Sequence, residues 1–279
     1  MTFRFISEPS TALSALQAGE IDWTDAIPPP QRVEQLKGDD SIHLAVTPSN
    51  DYWYLALNEA RKPWNDVRVR QAIAYGIDRE SIVQATSYGT ATANQLAIPR
   101  GNPWYTPPYD RYHHDVSRAR ELLQEAGVGN QNLDMLVTSE YPETVTAAQI
   151  IADNLAAVGI TVNIRTVDFA TWLDEQNSGH FDMLMMGWLG NIDPPDDFYY
   201  AQHHTGGTSN AQKFSDPDVD RLLDAARTET DRARRQDDYA KAATIIADKA
   251  SYIYLYNPSV IQAGRRTSPD TTRVATGGP

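Results

Sequence analysis

The 279 residues include no cysteine, which excludes disulfides, thiolate metal sites and thiol nucleophiles. No apolar run approaches the roughly 20 residues of a membrane-spanning helix. Met1-Thr-Phe-Arg-Phe-Ile6 lacks the basic start and long apolar core of an export signal and reads as a strand, as though the chain began inside a fold. Gly-x-Ser-x-Gly, a phosphate-binding loop and a dinucleotide fingerprint are also missing, so no motif supports an enzyme. Positive charge is scarce, with 24 Lys and Arg against 37 Asp and Glu and a net charge of −13. That balance argues against nucleic acid, because phosphate binding needs a basic face. There is no internal repeat. What the chain does have is 41% hydrophobic residues, enough for a substantial core in one large domain or two smaller ones.

Periodicity and caps predict a mixed α/β order. Thr2 to Ile6 is a strand, and Pro9 to Gln17 a helix with Leu13 and Leu16 inward and Gly19 ending it. Ile21 to Trp23 is extended and stops at Pro28-Pro29-Pro30. Gln31 to Leu36 is a short helix, and Ile42 to Thr47 and Tyr52 to Leu57 are strands. Asp66 caps a helix whose apolar face is Val69, Ile73 and Ile77, and Asp78 caps a second one carrying Ile82 and Val83. Residues 87–112 form a long irregular segment rich in proline and aromatics, which marks function rather than disorder. Val116 to Ala126 is a helix capped by Asp115. Leu133 to Thr138, the helix that begins at Pro142, and Thr161 to Val167 form a β-α-β unit with parallel strands. Ala170 to Gln176 is a short helix, and Met183 to Met186 a buried strand leading into Gly187-Trp188. Asp216-Pro217 starts a helix, a long mixed-charge helix spans about 231–249, and Tyr252 to Tyr256 is the last strand. The tail from Gly264 on reads as frayed.

The run Asp66-Val-Arg-Val-Arg-Gln-Ala-Ile-Ala-Tyr-Gly-Ile-Asp-Arg79 resembles a signature of the solute-binding proteins of ABC importers, the large peptide, oligopeptide and nickel-binding type called family 5. Further runs follow the family order: Leu16-Gln-Ala-Gly-Glu-Ile-Asp22, Tyr54-Leu-Ala-Leu-Asn58 with Pro63-Trp-Asn-Asp66, Ala119-Arg-Glu-Leu-Leu-Gln-Glu-Ala-Gly127, Gly187-Trp188 with Asp193-Pro-Pro-Asp-Asp-Phe198, Phe214 to Leu223, and Ala250 to Tyr256. The resemblance implies an α/β fold of the periplasmic-binding-protein type with two discontinuous lobes. It further implies that the chain is a C-terminal lobe plus part of the first. Residues 1–57 would be partial N-terminal lobe and first crossover strand, 58–250 the C-terminal lobe, and 251–279 the returning crossover strand and tail.

Such a protein closes two lobes over a ligand and needs aromatic walls and a few polar anchors. Trp188 follows a buried strand at the C-terminal edge of a parallel sheet, where open α/β sheets place ligands. Composition alone would make it core, but the resemblance makes it a wall. In peptide-binding relatives an aspartate three residues after this tryptophan pairs with the ligand's amino group. Here that position is Asn191, which can hydrogen-bond but offers no charge, with Asp193 two residues further on. Alternation places Trp53 on one face of its strand and Tyr52 and Tyr54 on the other. One face is core and the other lines the cleft, and Tyr254 and Tyr256 on the returning strand raise the same question; Trp53 and Tyr256 are further cleft candidates. His113-His114 and His203-His204 read as surface histidines, because adjacent histidines on extended chain point apart. Asp193, Asp196 and Asp197 lack the glycine and glutamate of a calcium loop, and Asp196 or Asp197 is better read as a helix cap.

The expected function is capture of a peptide or similar small solute outside the cytoplasm and its delivery to the ABC permease subunits, without catalysis, metal or cofactor. The complete protein would be a periplasmic or cell-surface lipoprotein and a monomer. Two other readings are a cytoplasmic ligand-sensing domain of a regulator and an incomplete gene fragment. Asn191 supplies a test with two signs. If the ligand is held through an ammonium group, Asn191→Asp strengthens binding, because a charge-assisted bond is the stronger one. If the ligand is neutral there, the same change places an unpaired carboxylate in a desolvated cleft. The Met183-Leu-Met-Met186 approach is uncharged, and the expected outcome is weaker binding. Tighter binding of a free-amine peptide by the variant in a calorimetric titration would restore an ammonium-anchored peptide.

Overall fold

The computed structural model describes residues 2–24, 29–105, 109–190 and 195–266. In chain order the elements are α1 (Pro9–Ala18), β1 (Trp23–Thr24), α2 (Val33–Lys37), β2 (Ile42–Pro48), β3 (Tyr52–Leu57), α3 (Val67–Gly76), α4 (Arg79–Ser87), β4 (Thr92–Ala93) and α5 (Val116–Glu125). They continue with β5 (Gln131–Thr138), α6 (Pro142–Ala156), β6 (Ile160–Val167), α7 (Phe169–Ser178), β7 (Met183–Trp188), α8 (Asp196–His203), α9 (Pro217–Thr228), α10 (Arg232–Asp248), β8 (Tyr252–Asn257) and β9 (Ser259–Arg265).

Local capping explains most helix starts. Asp66 accepts the Arg68 amide, Asp78 that of Ser81, Asp115 that of Arg118 and Asp216 those of Asp218 and Val219. Each side chain satisfies donors that a helix start leaves without a partner. The caps set where α3, α4, α5 and α9 begin, and the apolar faces then decide where they pack.

The strands form two sheets. A three-stranded antiparallel sheet has the order β1-β9-β2, and a six-stranded sheet the order β4-β8-β3-β7-β5-β6. Strands β5 and β6 are parallel, as are β5 and β7, whereas β3 runs antiparallel to both β7 and β8. Helices cover both faces of the large sheet, so its central strands β3, β7 and β8 read as nearly continuous apolar runs. On one face Leu55, Met183, Met185 and Leu255 pack against Val69, Ile73, Leu122 and Ile151 of α3, α5 and α6. On the other, Tyr54, Leu184 and Met186 meet Trp172, Phe198, Leu223 and Ile246 of α7 to α10. Leu13, Leu16 and Leu36 bury the small sheet's face against Ile42 and Ala263.

Four expectations need correction. Residues 2–6 are not a strand: no described strand lies beside them, and Phe3 and Phe5 are exposed. Residues 259–265 are β9, the middle strand of the small sheet, so Gly264 and Arg265 are held in pairing with β1 and β2. Residues 267–279 of the tail lie outside the described residues. The residue preceding α8 is Pro195, and Asp196 and Asp197 sit in the helix's first turn, where the helix dipole favours carboxylates.

His203, read as surface, is fully buried between Tyr254 and the α8–α9 connection. Its Nε2 lies 3.1 Å from the Tyr254 hydroxyl, and Nδ1 is 3.3 Å from Ser251 Oγ. Gln212 Nε2 and the Tyr52 hydroxyl bond to the carbonyl and side chain of Gln202 at 2.7 and 2.5 Å, which extends this polar knot.

Burial lowers the His203 pKa from 6.5 to about 3. The folded protein therefore keeps His203 neutral at pH values where the unfolded chain takes up a proton. Stability from this group is complete above pH 6.5 and falls progressively as pH drops toward 3. Glu59, half of a buried 3.0 Å ion pair with Arg70, has its pKa raised by burial to about 7 and slopes the opposite way between 4.5 and 7. Thermal melts should therefore compare wild type with His203→Gln. The variant is expected to melt lower at pH 7.5, and the gap is expected to narrow as pH falls from 6.5 to 5. A gap independent of pH would contradict a neutral buried His203.

Candidate ligand-binding site

The C-terminal ends of the parallel strands β5, β6 and β7 lie side by side, at Thr138, Val167 and Trp188. Each is followed within a few residues by an exposed or half-buried apolar side chain. Tyr141 precedes Pro142 at the start of α6, and Phe169 opens α7 immediately after its cap, Asp168, which accepts the Thr171 amide at 3.0 Å. Tyr141 and Phe169 are 40% and 41% exposed, and Leu189, next to Trp188, 81%. Apolar groups left open together at one sheet edge are unusual on a surface without a partner or ligand.

These residues surround a cavity of ≈ 580 Å³ whose walls include Tyr141, Phe169, Trp172, Gln176, Trp188 and Lys213. Its size is in the range of small-molecule sites. Phe169 and Trp172 stack with centroids 6.0 Å apart and planes 5° from parallel, and Tyr141 meets Phe169 edge-on at 6.5 Å. Trp53 extends the aromatic row by meeting Tyr141 edge-on at 5.8 Å. Lys213 is the one charged side chain among the described lining residues. The indole N–H groups of Trp172 and Trp188 are buried and have no hydrogen-bond partner among the described residues. Packing, not hydrogen bonding, holds both rings.

Pairing of β3 with β7 explains where the two predicted tryptophans sit. Tyr52 lies opposite Trp188 and Trp53 opposite Gly187. The Trp53 ring covers Gly187 so closely that an added Cβ would come within 3.2 Å of three ring atoms. Trp188 is half-buried in the cavity wall, while Trp53 stands on the opposite face of the sheet and adjoins the cavity through Tyr141. Tyr256 is buried and backs Trp53 at 6.4 Å, so it does not line the cavity. A register shift where β3 meets β8, between Trp53 and Tyr54, puts Tyr256 on Trp53's face although Tyr252 and Tyr254 lie on the other. Asn191 and Asp193 lie outside the described residues. Tyr141, Phe169 and Trp172 were not singled out from the sequence. The available signal was their position just past the ends of two predicted parallel strands.

His113 and His114 line a second cavity of ≈ 410 Å³ beside Asp78, Asn94 and Tyr112. Among the described residues no group of three or more His, Asp or Glu side chains is placed to hold a metal ion.

Residues 1–210 match the family described as bacterial extracellular solute-binding proteins, family 5, middle region. The dipeptide-binding protein of Escherichia coli K12 is 27% identical over 274 residues, covering 95% of this chain and 51% of the relative. Among solved structures, the periplasmic binding protein DppA of Helicobacter pylori in complex with the peptide STSA aligns with a TM-score of 0.81 at 27% identity, over 94% of this chain and 52% of that one. The binding protein AgaA of A. tumefaciens R10 in complex with agropinic acid aligns with a TM-score of 0.79 at 27% identity, over 94% and 54%. The chain spans about half the length of the curated relatives it matches. By its sequence match and its fold, the chain belongs to the family 5 bacterial extracellular solute-binding proteins.

Proposed function

We propose that this chain carries one wall of the ligand cleft of an ABC-importer solute-binding protein, which captures a peptide or similar small solute outside the cytoplasm and passes it to the permease without chemistry. The observation that carries this reading is the aromatic cavity at the C-terminal ends of β5, β6 and β7, with Trp188 in its wall. Stacked rings offer large rigid contact area at low entropic cost, and the amides of Gln176 and Asn177 add adaptable polar contacts. The relatives' names, a dipeptide-binding protein and a protein bound to a tetrapeptide, favour peptides, and the complex with agropinic acid keeps opine-like solutes within reach of the same scaffold. They also favour the importer over the cytoplasmic sensor.

The two sheets suggest the lobe division. The small sheet is built from both ends of the chain, residues 23–48 and 259–265, and would belong to the first lobe. The large sheet and its helices would be the second lobe, with β3 and β8 as the crossover strands. The whole protein is read as a monomer acting in the periplasm or at the cell surface. Among the described residues no helix is long and apolar enough to cross a membrane, so delivery would depend on docking to permease subunits.

A one-sided cleft buries too little ligand surface for tight binding. Calorimetry of this chain with Ser-Thr-Ser-Ala is therefore expected to give a Kd weaker than about 1 µM, equivalent to about −8 kcal/mol. Trp188→Ala is expected to weaken the interaction by a further 1–3 kcal/mol, roughly the loss of one stacking wall, with the fold intact by circular dichroism. A submicromolar Kd would refute the one-sided cleft. Unfolding of the variant with unchanged residual affinity would place Trp188 in the core.

A further inference from the structure

Two short links join the sheets: Ser49–Asp51 between β2 and β3, and Pro258 between β8 and β9. The links are bonded to each other, the Ser49 amide donating to the Pro258 carbonyl at 3.0 Å. Asn257, buried at the end of β8, donates through Nδ2 to the Asp51 carbonyl at 2.8 Å, and its Oδ1 accepts from Asn94 Nδ2 at 2.7 Å. The Asp51 amide donates to Ser49 Oγ at 3.0 Å. Its carboxylate Oδ1 accepts the amide of Gly190, two residues beyond Trp188, at 3.1 Å.

Gly190 is wedged where no side chain fits. A Cβ there would overlap the Asn50 carbonyl oxygen and lie 2.6 Å from the Phe198 ring. The Trp188 loop is therefore seated directly on the first link, and Asp51 joins three things at once. Its main chain bonds to its own link through Ser49 and to the returning link through Asn257, and its carboxylate holds the tryptophan loop through Gly190. Two short links between two packed sheets are where a change of angle between rigid bodies concentrates. A residue whose main chain is bonded into both links and whose side chain holds the Trp188 loop ties the loop's position to that of the links.

We infer that Asp51 is a positioning residue that couples the Trp188 loop to the links, so that ligand contact at Trp188 and the angle between the sheets bias each other. The inference rests on Trp188 being a ligand wall. By linkage, whatever the ligand does to the angle, a shift of the angle does to the ligand's affinity. The carboxylate suits this task because a main-chain N–H leaving a sheet needs an acceptor, and a charged acceptor holds it more firmly than a neutral one.

The absence of native cysteine makes the test direct. Spin labels at Glu34→Cys on α2 and Glu121→Cys on α5, both on exposed side chains, report the distance between the two sheets' coverings. Asp51→Ala is expected to broaden the distance distribution and to speed exchange of the Gly190 amide by about tenfold, as for loss of a hydrogen bond to a charged group. Asp51→Asn keeps an Oδ1 acceptor and is expected to stay within about twofold of wild type, which separates the bond from general damage to the fold. Adding Ser-Thr-Ser-Ala is expected to shift the wild-type distribution and to leave that of Asp51→Ala unshifted. Unchanged Gly190 exchange in Asp51→Ala, or an equal peptide-induced shift in wild type and Asp51→Ala, would overturn the coupling. If Asp51→Ala frees the Gly190 amide as described but the peptide moves neither the distances nor the Trp188 indole resonance of wild type, the ligand assignment of Trp188 fails and the clasp at Asp51 stands.

Discussion

The antiparallel pairing of β3 with β7 is the constraint on which the rest of the molecule depends. β3 lies inside the large sheet, between β8 and β7, and its register with β7 runs unbroken from Tyr52 opposite Trp188 to Leu57 opposite Met183. A slip of one residue would exchange the two faces, placing Tyr52 and Tyr54 where Trp53 and Leu55 now pack. It would also lift Trp53 from Gly187 and move Trp188 away from the first link. Strand pairing here decides both which helices cover which face and where the cavity's tryptophan stands.

The cavity's other walls come from a different source. Parallel strands β5 and β6 need a helix between them, and α6 leaves Tyr141 at its start, just past the end of β5. The Asp168 cap starts α7 just past β6, with Phe169 and Trp172 in its first turn. Strand direction and helix capping thus bring three aromatics from two segments to one edge. Trp188 arrives from β7 in the same direction. The only charge among the described lining side chains is Lys213, so the wall is built for stacking and hydrogen bonding more than for ion pairing.

Much of this was legible in the sequence, for physical reasons that vary by element. Asp66, Asp78, Asp115 and Asp216 announced their helices because a cap acts within one turn. The apolar run Met183-Leu-Met-Met186 announced a strand buried on both faces with Trp188 at its end, and the family resemblance, not the strand, made Trp188 a wall candidate. β9 was missed because Gly264-Arg-Arg reads as polar tail and its partner β2 is distant in the chain; pairing, not composition, makes it a strand. The face of Tyr256 was not legible because a register shift opposite Trp53 breaks the alternation along β8. His203 looked like surface because buried histidines depend on partners, here Tyr254 and Ser251, that lie about 50 residues away. Tyr141, Phe169 and Trp172 went unnoticed because only strand order shows that they share an edge.

The central claim is that ligand meets this chain at the C-terminal edge of β5, β6 and β7. The most direct measurement is a titration of the indole N–H signals of the six tryptophans with Ser-Thr-Ser-Ala, followed by heteronuclear NMR. Trp188 and Trp172 should shift together and saturably, while Trp64, buried among α3 and its neighbours, and Trp104, packed against Tyr239, should stay in place. Saturable shifts at Trp64 or Trp104 with Trp188 and Trp172 unmoved would place the ligand elsewhere and contradict the account.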